Sequence, residues 1–333
     1  MPWKFEKNPY KIWLSEIILQ QTRVEQGTGY YLRFTTKYPR VSDLANAEDE
    51  EVMKLWEGLG YYNRCRNLLT TAREIHYSHN NIFPKTYEGL IALKGIGTYT
   101  AAAITSFAYN LPHAVVDGNV IRVLARFFAI KTSVDSTETK KLLENLAQQL
   151  LDKRQPGKYN QAIMDFGATV CKPRQPDCAS CPLHTNCGAY QRNEVESFPI
   201  KNKKTTKKSR GFLYIIYRHQ TYYYLKKRNE KDIWKDLHEF SLLEIGFEEL
   251  TQDIAIKTRI RKLTPAKSTI KLLSGLYKQE LSHRTIIARY VVVDLKKPLS
   301  DSDLHPVPVH ELKQYSFPRI TREFMEENAV YFL

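Results

Sequence analysis

Leu93 to Ile104 read LKGIGTYTAAAI. Gly95 and Gly97 stand between two apolar segments of helical spacing. Glycine takes backbone angles closed to other residues, so Gly-x-Gly lets a chain reverse within a few residues. The stretch predicts two helices joined by a tight hairpin. The N–H groups of such a turn, together with the start of the next helix, are suited to holding a phosphate oxygen. Any tight interhelical turn looks like this, so the hairpin needs support from the rest of the chain.

Support lies on both sides. Downstream, VVDGNVIRVLAR (Val115 to Arg126) sets Asp117 just ahead of a helix carrying Asn119, Arg122 and Arg126. Taken alone, Asp117 reads as a helix N-cap. Upstream, WLSEIILQQT (Trp13 to Thr22) places one carboxylate, Glu16, in a helix that is apolar on most sides. A carboxylate in that setting is costly unless it is paired or used. Farther on, Cys171, Cys178, Cys181 and Cys187 follow the pattern Cys-x6-Cys-x2-Cys-x5-Cys. Clustered thiols argue for a metal centre rather than disulfides, and the spacing admits either structural zinc or a [4Fe–4S] cluster. The fifth cysteine, Cys65, stands alone and reads as a core residue.

Apolar periodicity marks helical segments around 10–20, 28–36, 50–58, 64–76, 86–93, 98–108, 118–129, 138–151 and 158–170. Glycines and prolines punctuate them. Residues 1–190 therefore read as an all-α domain. FPIKNKKTTKKSRG, Phe198 to Gly211, is basic and lacks periodicity, and a linker is expected over 191–210. From 211 to 333 the texture is β-rich: FLYIIYR, TYYYLKKR, STIKLLSGLYKQELSH and TIIARYVVVDL, with helices expected near 248–261 and 318–327. That half reads as a smaller α+β domain.

The chain has 333 residues, a net charge of +14 and a pI near 9.4. This balance favours an anionic partner, nucleic acid above all, and the 21 tyrosines suit a surface where rings stack on bases. No apolar run is long enough to span a membrane and no secretory signal is visible, so a cytoplasmic chain is expected.

Glycine turn, aspartate and cysteine loop together resemble the helix-hairpin-helix DNA glycosylases of the endonuclease III superfamily, and that resemblance favours the iron–sulfur cluster, with the loop at 171–187. Within the superfamily, NPYKIWLSEIILQQTRVEQ, LWEGLGYYNRCRNL and VVDGNVIRVLAR resemble the adenine DNA glycosylases (MutY family). The resemblance covers the whole chain and is densest over residues 2–190.

It implies a monomeric, nucleoid-associated base-excision repair enzyme that acts on double-stranded DNA and removes adenine opposite 8-oxoguanine or guanine. Glu16 is then the general acid and Asp117 the group that stabilises the sugar cation, with Tyr99 and Asn119 positioning them. Trp3 and Gln161 match positions lining the adenine pocket, Gln21 and Tyr61 the duplex wedge, and Gly95 and Gly97 the hairpin. Relatives that cleave the strand carry a lysine where this chain has Tyr99. Tyrosine cannot form a Schiff base, and Lys94 does not occupy that position. The second domain is expected to be Nudix-like, without the glutamate-rich box of a Nudix hydrolase. Its reader of 8-oxoguanine maps to Leu281, Ser282 and His283, with leucine where the family has phenylalanine. The chain also starts later than its family does, which puts a segment beside the adenine in question. Two alternatives stand beside this reading: an endonuclease III-like lyase on other lesions, and a lesion-binding protein without activity.

Overall fold

A computed structural model describes residues 1–202, 207–229, 232–300 and 303–332. The chain divides into two compact units, Met1–Ala47 with Asn63–Lys204, and Glu48–Tyr62 with Thr205–Leu333. Part of the expected linker, residues 203–206, lies outside the described residues.

The first unit is helical. It contains α1 (Pro9–Leu19), α2 (Val24–Lys37) and α3 (Val41–Ala45). After a gap in sequence, Glu48–Tyr62, which carries α4 (Asp49–Trp56) of the second unit, it resumes with α5 (Asn63–Ser78), α6 (Tyr87–Ile91), α7 (Thr98–Tyr109), α8 (Gly118–Phe127), α9 (Thr137–Leu150), α10 (Pro156–Thr169) and α11 (Gly188–Gln191).

Helix α1 is the centre of this unit. Asn8 caps it, accepting from the N–H groups of Tyr10 and Lys11, and Pro9 occupies the first helical position. Tyr10, Ile12, Trp13, Leu14, Ile17 and Ile18 are all buried, as expected of a helix apolar on most sides. It packs on α2, α5 and α7. The buried Ala101, Ala102 and Ala103 keep the contact face of α7 small. Arg64 of α5 donates from Nη1 to the carbonyls of Ile17 at 2.7 Å and Ile18 at 3.0 Å, satisfying oxygens left open at the end of α1. The helix therefore stops at Leu19, and Gln21 lies beyond it with φ +57°.

Helix α10 closes on α7 at Gly157, where an added Cβ would lie 2.7 Å from the Ser106 carbonyl oxygen. Next to it, the buried Asn160 donates to Ser106 Oγ and the His113 carbonyl and accepts from the Val115 N–H. One amide thus ties α10 to α7 and to the segment leading into Asp117.

The second unit is built on a mixed sheet. Its strands are β1 (Lys208–His219), β2 (Tyr222–Lys227), β3 (His238–Glu239), β4 (Ser241–Ile245), β5 (Thr269–Leu273), β6 (Tyr277–Glu280), β7 (Arg284–Asp294) and β8 (His305–Pro308), with α12 (Phe247–Thr251), α13 (Asp253–Leu263) and α14 (Arg319–Glu327). The main path runs β3-β2-β1-β7-β5, with β4 on β1, β6 on β7 and β8 on β2. Strands β1 and β7 are parallel, Lys208 opposite Arg284. That long-range partner draws the start of β1 back into the basic stretch.

Both faces of the sheet are covered, which explains the unbroken apolar runs in β1 and β7. On one face Leu213, Ile215, Val291 and Val293 pack with Leu250, Ile256 and Ile260 of α12 and α13. On the other, Tyr214 stacks on Tyr290 at 5.1 Å and Tyr290 on Phe324 of α14 at 4.1 Å. Residues 48–62 join this unit through Glu57, which accepts from the Phe317 N–H at 2.8 Å and from Lys54 Nζ at 2.8 Å, while Lys54 also donates to the Tyr315 carbonyl.

Candidate active site

Glu16 sits on the inner face of α1 and is 9% exposed. Burial pushes its carboxyl up to about 7; the Asp117 carboxylate adds to the rise, and the Tyr99 hydroxyl, hydrogen-bonding to the carboxyl, pulls the other way. Tyr99 itself is held well above the usual phenol range, by burial first and then by Glu16. Three helices thus meet at one point: α1 brings Glu16, the first turn of α7 brings Tyr99, and the N-terminus of α8 brings Asp117.

Asp117 does cap α8. Its Oδ1 accepts from the N–H groups of Asn119 at 2.9 Å and Val120 at 2.8 Å, and its Oδ2 accepts from Asn119 Nδ2 at 2.7 Å. Capping does not use up the carboxylate, which has lone pairs to spare. Asn119 is fixed in turn by Arg122, whose Nη2 donates to Asn119 Oδ1 at 2.9 Å and whose Nε donates to the Cys171 carbonyl at 2.7 Å. A chain of hydrogen bonds therefore runs from the first cysteine of the loop to the Asp117 carboxylate.

Glu16 opens onto a cleft of about 1000 Å³, its mouth included, whose walls also carry Trp3, Ser15, Phe107, Gln161 and Asp165. Trp3 meets Tyr31 edge to face at 5.3 Å. The sequence reading expects Trp3 and Gln161 at the adenine pocket, and both line this cleft with Glu16. It passed over Lys4 and Asp165, which pair at 2.7 Å on the same wall. Asp165 lies four residues after Gln161 on α10, a spacing that puts both on one helix face. That was the available signal.

The hairpin forms as expected. Gly95 has φ +78°, and a Cβ there would lie 2.6 Å from Asn67 Cβ, so only glycine fits. Gly97 is the N-cap of α7 and has open space where a Cβ would be. Gln21 is exposed and is not among the residues lining the cleft. Cys65 is fully buried.

Cys171, Cys178, Cys181 and Cys187 all border one recess, whose other walls include Val123, Phe127, Phe166 and Leu183. Burial and the three other sulfurs push the Cys178 thiol up. Arg126, almost fully buried, reaches Cys171 Sγ from Nη1 at 3.3 Å and also holds the carbonyls of Lys172, Pro173, Val195 and Phe198. Among the described residues no three His, Cys, Asp or Glu side chains form an assembled metal site. Four sulfurs around an apolar recess, with one guanidinium against Cys171 Sγ, nevertheless suit a thiolate-held metal centre, whether zinc or an iron–sulfur cluster.

In the second unit, Leu281, Ser282 and His283 form the turn between β6 and β7, closed by the Leu281 N–H on the Arg284 carbonyl at 2.8 Å. Ser282 and His283 are exposed. Tyr61 is 46% exposed and has φ +49°. Its hydroxyl hydrogen-bonds that of Ser282. Among the described residues, no helix is long and apolar enough to cross a membrane.

Comparison with known proteins agrees with this architecture. A family model described as HhH-GPD superfamily base excision DNA repair protein matches residues 14–149. The adenine DNA glycosylase of Buchnera aphidicola subsp. Baizongia pistaciae (strain Bp) is 35% identical over 298 residues, covering 89% of this chain and 82% of its own. That of Mus musculus is 46% identical over 201 residues, 58% of this chain and 39% of its own. Among solved structures, a thermostable thymine-DNA glycosylase superposes with a TM-score of 0.53 at 29% identity, over 58% of this chain and 88% of its own. Endonuclease III in a non-covalent DNA complex shares the fold, with a TM-score of 0.50 at 24% identity over 56% of this chain and 86% of its own. The chain belongs to the adenine DNA glycosylase family, within the HhH-GPD superfamily of base excision DNA repair proteins.

Proposed function

We propose that this protein is a monofunctional adenine DNA glycosylase that flips adenine out of a duplex, where it is paired with 8-oxoguanine or guanine, and hydrolyses its N-glycosidic bond. The observation that carries this reading is the buried Glu16 carboxyl, pushed up to about 7, beside Asp117 and at the wall of a cleft with room for a purine. Breaking the bond needs a proton on the leaving base and a negative group near the developing sugar cation, the same division of labour as in glycoside hydrolysis. Glu16 donates the proton and Asp117 stabilises the cation. Tyr99 and Asn119 position the two carboxyls. A base stacked in a duplex must leave the stack to reach them. The hairpin at Gly95 and Gly97 grips a phosphate, and Gln21 and Tyr61 enter the duplex. Trp3 and Gln161 flank the extruded adenine. The protein acts as a monomer on nucleoid DNA in the cytoplasm.

Single-turnover incubation with a duplex containing an 8-oxoguanine:adenine pair should release adenine and leave the strand whole until alkali is added. Cleavage without alkali, trapped by borohydride at a rate matching base release, would instead favour the lyase reading, because it requires an amine nucleophile. Tight binding without base release would favour a lesion-binding protein.

We assign a [4Fe–4S] cluster to Cys171, Cys178, Cys181 and Cys187. Bound there, it would cross-link the loop that Arg122 and Arg126 hold against α8. The purified protein should contain about four iron atoms per chain; stoichiometric zinc would refute the assignment.

We assign residues 211–333, the larger part of the second unit, to a Nudix-like domain that follows the glycosylase domain and a basic linker; the sheet of that unit already begins at Lys208, inside the stretch expected as linker, and residues 48–62 pack with it. Its turn at Leu281, Ser282 and His283 reads 8-oxoguanine. Ser282 supplies a hydrogen bond, and Leu281 wedges without the stacking that an aromatic ring would add. Ser282→Ala with His283→Ala should lower the preference for 8-oxoguanine over guanine by roughly twofold to tenfold, the worth of one net hydrogen bond. An unchanged preference would remove the turn from the reader.

A further inference from the structure

Asp165 takes no part in donating the proton or stabilising the cation, yet it sits on the cleft wall with a fixed set of partners. Lys4 Nζ donates to its Oδ2 at 2.7 Å and Gln161 Nε2 donates to its Oδ1 at 2.9 Å. The Lys4 and Asp165 side chains are about one-third exposed, at the edge of the cleft and not in its depth.

An ionised carboxylate only accepts hydrogen bonds. Whatever faces it must donate, so Asp165 forces the Gln161 amide to turn its NH₂ toward α10's own wall. Oε1, an acceptor with no hydrogen-bond partner among the described residues, is left free on the amide together with the second N–H of Nε2. Glu16, protonated, is a donor on the same cleft. Adenine presents an acceptor, N7, beside a donor, the 6-amino group; guanine presents two acceptors there, N7 and O6. The donor of Glu16 and the acceptor of Gln161 match the first pattern and oppose the second.

We propose that Asp165 is a positioning residue that locks the Gln161 amide in its acceptor-inward orientation and so sets selectivity for a 6-amino over a 6-oxo purine. This rests on the reading of the cleft as the purine pocket. Lys4 steadies the Asp165 charge but does not choose the amide's orientation. An asparagine at 165 presents a carbonyl and an NH₂, and an amide facing it turns either way.

The test compares duplexes that differ only in the target base, adenine or hypoxanthine, opposite 8-oxoguanine. Hypoxanthine keeps the purine shape and replaces the 6-amino group by oxygen. Two readouts are taken: single-turnover excision, and equilibrium binding to duplexes made uncleavable by a 2′-fluoro sugar. Asp165→Asn should reduce the adenine-to-hypoxanthine ratio by about tenfold or more in both, by raising the hypoxanthine side. Lys4→Met should leave that ratio near wild type. A role in folding alone would lower both bases together and leave the ratio unmoved, which overturns the proposal. So does a ratio that collapses equally in Lys4→Met. If Asp165→Asn is poorly folded, Asp165→Ser, which removes the fixed acceptor at smaller volume, is held to the same outcome. A wild-type protein that discriminates in binding but never excises adenine would sink the proposed activity and leave the role of Asp165 intact.

Discussion

Asp117→Asn should lower single-turnover adenine excision by about 10²–10³-fold, the range lost when one preorganised electrostatic group is removed from a transition state. Asparagine is the informative replacement because it is as good an N-cap as aspartate. Its single Oδ1 still meets the N–H groups of Asn119 and Val120, so α8 keeps its start. What disappears is the charge, and with it the second oxygen that now accepts from Asn119 Nδ2. Asn119 would then face an NH₂ and lose its anchor on that side, while Arg122 still holds its Oδ1. The measurement is excision rate against duplex affinity. Affinity should stay within a few-fold of wild type, since binding of so basic a chain rests largely on phosphate contacts. Excision at the normal rate would refute the role given to Asp117. A parallel loss of rate and affinity would instead point to damaged packing.

The contrast between what was readable and what was not follows the reach of the interactions. Helices α5, α8, α9 and α10 announce themselves because their burial is periodic along the chain itself, and α1 and α7 because they are long runs buried on nearly every side. Glu16 stood out because it is the one carboxylate in its helix, set in the apolar run beyond Lys11, and Asp117 because it precedes a helix. The five-residue α3 is too short to show a period, and the two-residue β3 and four-residue β8 exist only through their pairing with β2. The start of β1 at Lys208 depends on a parallel partner that begins at Arg284. Residues 48–62 join the second unit through Glu57 and Lys54, whose partners Phe317 and Tyr315 are remote in sequence. Within the site, Lys4 and Asp165 look like ordinary surface charges until folding brings residues 161 positions apart into contact. Long-range pairs of this kind leave no local pattern to read.

The setting of Glu16 predicts an opposite pair of effects in Glu16→Gln. Excision should fall by about 10²–10⁴-fold, the usual contribution of a general acid. The wild-type rate should be level at acid pH and drop as pH rises through about 7, because the carboxyl must carry its proton to donate it. The substituted amide has no proton of that kind, so this limb should vanish along with the rate. Stability should move the other way. In the folded protein burial raises the carboxyl from 4.5 to about 7, so folding favours its protonated form. That contribution is complete below pH 4.5 and is lost as pH climbs through 7, where an ionised carboxylate must be buried near Asp117. The full difference is about 3 kcal/mol at most. Glutamine is neutral throughout, so the variant should become more stable than wild type above pH 7, with the gap narrowing toward pH 5. Denaturant unfolding at several pH values checks this directly. If the two proteins show the same stability at every pH, Glu16 is not desolvated in the way the cleft implies. If the stability gap appears and excision survives, the buried carboxyl is a structural cost without a catalytic purpose, and the proton must come from another group.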